Sequence, residues 1–140
     1  MPGNPQLGTP TNAIGIDCTQ LNIADPNGVL SNLIIAQADP FELSAQFILG
    51  GNFALWIVGL AVPFTVTYFV DQFGGLNDRQ IAAVSGSTVA GQLTYNNAAT
   101  RATIPGNTLT PGTYKPTVVV SFGGNPPMTA FCEGPVIQIF

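Results

Sequence analysis

Residues 47–70 read FILGGNFALWIVGLAVPFTVTYFV, a run without a single charge. A run of this length either crosses a membrane as a helix or supplies the core of a globular domain, and the rest of the chain is read differently in each case. Three features favour the core. Gly50, Gly51, Asn52, Gly59 and Pro63 interrupt the run. The first basic residue is Arg79, so cationic anchors are missing on one flank and distant on the other. The periodicity is two. Phe41, Leu43, Ala45, Phe47 and Leu49 alternate with Glu42, Ser44, Gln46 and Ile48, and after Pro63 the set Phe64, Val66, Tyr68, Val70 alternates with Thr65, Thr67 and Phe69. This alternation, rich in aromatic and β-branched residues, predicts half-buried strands. The run is therefore predicted to be strand, connector, strand, with no membrane span. Residues 52–59 leave room for one helical turn capped by Asn52.

The chain has 140 residues, enough for one domain with a real core. Only 7% of them are charged, against about 25% in ordinary soluble domains. At 46% hydrophobic and a net charge of −4 the chain is not compositionally disordered. Its surface must be built from Ser, Thr, Asn, Gln and Gly. Such a surface repels copies of itself weakly, which suits self-packing. Three basic residues, Arg79, Arg101 and Lys115, cannot neutralise a run of phosphates, so nucleic acid is excluded as a partner and anionic membrane surfaces are disfavoured. The start, MPGNPQLGTPTN, has neither a basic nor an apolar leader segment, and no signal peptide is expected. The compartment stays open, with an extracellular or surface location preferred over the cytoplasm.

Turn chemistry divides the chain. Pro2, Pro5, Pro10, Gly3 and Gly8 mark residues 1–12 as an extended arm, and residues 13–140 as the folded domain. A strand is expected over 13–24, with Ile14, Ile16 and Cys18 on one face and a bulge or face switch before Leu21 and Ile23. Asp25-Pro26-Asn27-Gly28 is a turn, and a short strand is expected within 29–38. After residue 70, Gly74-Gly75 opens a loop, a strand follows near 80–84, and Ser85-Gly86-Ser87 reads as a turn. Further strands are expected over 89–95, 99–104, the segment ending at Phe122, and 128–140, the last with a bulge or edge at Gly134-Pro135. Eight or nine short strands at such spacing predict an all-β antiparallel sandwich.

The most specific local pattern is Leu109-Thr110-Pro111-Gly112-Thr113-Tyr114, a Pro-Gly turn that delivers a tyrosine to the start of an apolar strand. It resembles the tyrosine corner of immunoglobulin-like sandwiches, which implies a structural role for Pro111, Gly112 and Tyr114, with the Tyr114 hydroxyl bonded back to the backbone. The inter-sheet cysteine pair and central tryptophan common in that superfold are not in place. Cys18 falls on the first strand and Cys132 on the last, and Trp56 precedes the candidate third strand. The resemblance implies that the first and last strands lie side by side, so Cys18 and Cys132 are either a disulfide or two buried thiols. A superfold of this kind implies no particular activity.

The chain has no histidine, which removes Ser-His-Asp and Cys-His catalysis and most zinc sites. Its carboxylates are scattered over strand ends and turns. Asp71, Asn77 and Asp78 supply too few oxygens for calcium, and Asp25-x-Asn27-Gly28 lacks the rest of an EF-hand. No catalytic residue, metal or cofactor is expected. Trp56, Phe69, Phe73 and Phe122 are candidates for a ligand platform, with a second core face as the alternative. The expected function is a non-enzymatic, self-assembling sandwich subunit of a filament, layer or other ordered array. Leu7 anchors the arm, and the apolar segment Val136, Ile137, Ile139, Phe140 is the edge that receives it. The alternative is an adhesion module that binds carbohydrate or protein.

Overall fold

The computed structural model describes residues 14–24, 33–75, 78–123 and 127–140. The expectations for Leu7 and the arm, the Asp25–Gly28 turn and Asn77 lie outside the described residues. Within them the chain forms ten strands and one short helix: β1 Gly15–Ala24, β2 Ile34–Ile35, β3 Phe41–Gly50, α1 Ala54–Val58, β4 Pro63–Gln72, β5 Asp78–Ser87, β6 Thr94–Tyr95, β7 Ala102–Ile104, β8 Gly112–Phe122, β9 Met128–Glu133 and β10 Ile137–Ile139. No helix among the described residues is long and apolar enough to cross a membrane. The uncharged run is the second half of β3, α1 and most of β4. Phe53, not Asn52, occupies the N-cap position of α1, without a side-chain cap.

The strands make two facing sheets. In the first, β3 lies between β1 and the pair β6 and β7, which follow one another along its other edge. In the second the order is β2-β10-β8-β4-β5, with β9 continuing beside β8 where β10 leaves off. All pairs are antiparallel except β2 with β10. Period-two patterning sets the register. Phe41, Leu43, Ala45, Phe47 and Leu49 of β3 face Phe64, Val66, Tyr68 and Val70 of β4 and Tyr114, Val118, Val120 and Phe122 of β8 across one buried core. In β1 a bulge at Thr19 separates the pairs Cys18–Phe47 and Gln20–Gln46. The extra residue lets Cys18, Leu21 and Ile23 all turn inward despite their odd spacing.

Several expectations are corrected. Ser85-Gly86-Ser87 is not a turn but the end of β5, where Gly86 pairs with Phe64. A Cβ on Gly86 would sit 2.7 Å from the Phe64 ring, so this glycine answers to packing rather than chain reversal. Residues 89–93 form no strand, and only Thr94–Tyr95 pairs with β3. A 3-10 turn at Asn97–Ala99 occupies the start of the expected 99–104 strand. The expected last strand is two strands, broken at 134–136. Pro116 sits inside β8 opposite that break. Its carbonyl accepts the Gly134 N–H at 2.9 Å, so its missing donor faces the gap between β9 and β10, where no strand needs it. Nor is β10 an open edge. It pairs with β8 on one side and β2 on the other, Ile137 and Ile139 are buried, and Val136 and Phe140 remain exposed.

Candidate functional site

At one end of the sandwich the chain leaves β3, makes α1 and enters β4, and the β5–β6 loop lies beside it. Ala54 and Val58, one helical turn apart, are buried and hold α1 to the core. That leaves Phe53, Leu55, Trp56 and Leu60 facing outward, joined by Val89 from the neighbouring loop. These five side chains are 55–68% exposed. Phe53 and Trp56 meet edge to face with ring centroids 6.5 Å apart. No charged residue occurs in 43–70 or 80–100, so neither segment brings a charge to this tip.

The tip is held rigidly from below. The buried Thr88 hydroxyl donates to the Val58 carbonyl at 2.9 Å and accepts from the Val62 N–H at 2.8 Å, tying the end of α1 to the start of β4. The Tyr95 hydroxyl accepts from the Val89 N–H at 3.0 Å and donates to the Gln92 carbonyl at 2.7 Å, which fixes the second loop. The Tyr95 ring stacks on Phe47 at 5.1 Å, and Phe64 closes the aromatic cluster against both. Between α1 and β4, Ala61 adopts φ 51°, a left-handed conformation that costs a non-glycine residue about 1 kcal/mol. A pre-ordered apolar surface of this kind loses little entropy when a partner covers it.

The four platform residues do not converge. Trp56 is at the tip. Phe73 lies beyond the far end of the ten-residue β4, about 30 Å away by strand rise. Phe122 is buried in the core. Phe69 alone faces outward on the second sheet, in a shallow cleft of about 330 Å³ that it lines with Asp71, Lys115, Thr117 and Glu133. Lys115 and Glu133 approach to 3.6 Å there, and both are solvent-exposed. Among the described residues no three metal-ligating side chains gather. The Tyr114 hydroxyl donates to the Thr110 carbonyl at 2.7 Å across the Pro111-Gly112 turn. Cys18 and Cys132 are both thiols with their sulfurs 2.6 Å apart. The tip could have been anticipated, because a helical turn whose i, i+4 pair is Ala54 and Val58 must point Leu55 and Trp56 away from the core.

No family model matches the chain, and no curated protein matches it in sequence. Solved structures resemble it in fold. The C-terminal domain of wzt superposes with a TM-score of 0.60 at 9% identity, over 90% of this chain and 74% of that one. A β-glucosidase from Erythrobacter marinus gives 0.53 at 7% identity, over 91% of this chain but only 16% of the enzyme. An immunoglobulin-like protein from Pseudomonas aeruginosa gives 0.45 at 10% identity, over 90% of this chain and 97% of that one. At these identities the likeness is one of fold. The chain is an all-β sandwich.

Proposed function

We propose that this chain is a non-enzymatic structural subunit that associates with copies of itself, and that the tip is its contact surface. The observation that carries the reading is the cluster Phe53, Leu55, Trp56, Leu60 and Val89, exposed on a rigid support with no charge on either segment. Together these side chains expose on the order of 600 Å² of apolar surface, the top of the range for the largest patch on a monomer. Two tips face to face bury roughly 1,200 Å², the lower bound for a specific interface. A second copy fits this surface because it is apolar, uncharged and equally rigid, so the pairing leaves no ion desolvated without a partner.

Trp56 is the only tryptophan, which makes the tip its own fluorescent probe. On dilution, the wild-type chain should fall from higher to lower mass in sedimentation velocity while Trp56 emission shifts to the red. Leu55→Ser should abolish the higher-mass species with unchanged circular dichroism, because the side chain is exposed. Identical mass distributions for wild type and Leu55→Ser would remove the tip from the interface. Deletion of residues 1–12 separates an arm-mediated contact from a tip-mediated one. A second reading, an adhesion module for carbohydrate or protein, rests on the outer cleft. There Phe69 offers an apolar face beside Asp71, Lys115 and Glu133. Phe69→Ala would abolish binding on a glycan array in that case and leave self-association intact.

A further inference from the structure

β1 and β9 close one side of the sandwich. Among the described residues β1 pairs only with β3 and β9 only with β8, so each is an outer strand of a different sheet, and the two sheets meet along this seam. Cys18 reaches the seam from β1 because the Thr19 bulge keeps it inward. Cys132 reaches it from β9, on the same inward parity as Met128 and Ala130. Their sulfurs lie 2.6 Å apart, inside the ordinary van der Waals separation of two sulfurs, although the residues are 114 apart in sequence. Two thiols brought together from opposite sheets with nothing between them can be joined by a small side-chain adjustment.

We propose that Cys18 and Cys132 are a redox site: they are oxidised to an intramolecular disulfide by a low-molecular-weight disulfide, with Cys132 as the attacking sulfur. Cys132 is partly exposed and Cys18 buried, so an incoming disulfide meets Cys132 first. The hydrogen bond from Cys18 holds the ionisation of Cys132 low, and the same bond, with burial, pushes that of Cys18 far up. Burial and the nearby Asp17 oppose the lowering at Cys132 without reversing it, and Asp17 adds to the rise at Cys18, so the accessible sulfur is the one that ionises more readily. The Cys132 thiolate attacks one sulfur of oxidised glutathione and releases one glutathione thiolate. Cys18 then gives up its proton and attacks the Cys132 sulfur of the mixed disulfide, releasing the second glutathione. Two thiols and one oxidised glutathione become one protein disulfide and two reduced glutathiones.

The full chain is incubated with oxidised glutathione, quenched in acid and weighed intact. A loss of two hydrogens, no retained glutathione and no reactive thiol after denaturation are expected. The oxidised chain should melt about 10 °C above the reduced one, because the bond closes a long loop. That redox dependence should vanish in Cys18→Ser and in Cys132→Ser. Two thiols still titratable in excess oxidant, or a stable glutathione adduct on the wild-type chain, would overturn the proposal. Cys18→Ser should acquire one glutathione faster than Cys132→Ser does. The reverse order would overturn the assignment of Cys132 as the attacking sulfur.

Discussion

Thr100 performs the work of a missing strand. β3 is paired with β7 at Phe41–Leu43 and with β6 at Phe47 and Ile48, and between them Ala45 faces neither. The fully buried Thr100 hydroxyl fills that gap. It accepts the Ala45 N–H at 3.0 Å and donates to the Ala45 carbonyl at 2.6 Å. Both groups of one residue point the same way in an antiparallel strand, so neither turns toward β1. Thr100→Val keeps the shape and removes the hydroxyl, leaving a buried donor and a buried acceptor unmet. At about 1–3 kcal/mol per orphaned group, less what is regained by not burying a hydroxyl, the net loss should be near 3 kcal/mol. At about 3–4 °C per kcal/mol for a chain of this size, Tm should fall by roughly 10 °C. Thr100→Ser is the control, since it keeps the hydroxyl and loses one buried methyl, about 1 kcal/mol. Urea unfolding followed by circular dichroism measures both, with an unchanged m value showing that the two-state comparison holds. If Thr100→Val costs no more than Thr100→Ser, the hydroxyl is not the rung described.

Three further outcomes are expected. Gly106→Ala should destabilise severely and lower soluble yield, because a Cβ there would lie 2.1 Å from the Ala38 backbone carbonyl oxygen, which cannot swing aside. Tyr114→Phe should lower stability by about 0.5–1.5 kcal/mol in the same urea assay while leaving the mass distribution unchanged, since only the contacts of its hydroxyl with the Thr110 carbonyl and hydroxyl are lost. Burial pushes the Tyr68 ionisation well above its ordinary value, and the bond to the Thr100 segment only partly opposes it. The folded chain therefore keeps the Tyr68 proton when the unfolded chain has lost it. This contribution is complete below about pH 10 and is lost as pH rises beyond that. Tyr68→Phe should flatten that alkaline decline.

How much of this was legible in the sequence follows from which residues obey a strict period. β3, β4 and β8 are stated outright by alternation, because each has one face in the core and one outside. Parity alone would have placed Phe122, which shares even numbering with Tyr114, Val118 and Val120, inside rather than on a platform. The end of β5 is hidden because Ser85-Gly86-Ser87 has turn composition, while the requirement on Gly86 comes from the Phe64 ring of another strand. The segment 89–93 has strand composition, and a tyrosine hydroxyl bends it into a loop instead. Thr88 and Thr100 gave no signal at all. A buried threonine that replaces a backbone rung looks in sequence like any surface threonine, and only the sheet around it reveals the vacancy it fills. The cysteine seam was implied by resemblance alone, since no local pattern connects residues so far apart.

The closed edge at β10 has a consequence for valency. A tip that pairs with an identical tip saturates at two copies, because the contact uses the same surface on both sides. Growth into a longer array requires a second, different adhesive face. Strand addition to β10 cannot supply it, because β2 already occupies that edge. Exposed apolar side chains on β2 and flanking β2 and β10, namely Ile34, Leu33, Val136 and Phe140, lie at the end of the sandwich away from the tip, where β8 begins at Gly112. A subunit with one adhesive pole makes pairs. A subunit with a pole at each end strings pairs into a line, and the difference between the two is set by whether that second cluster finds a match.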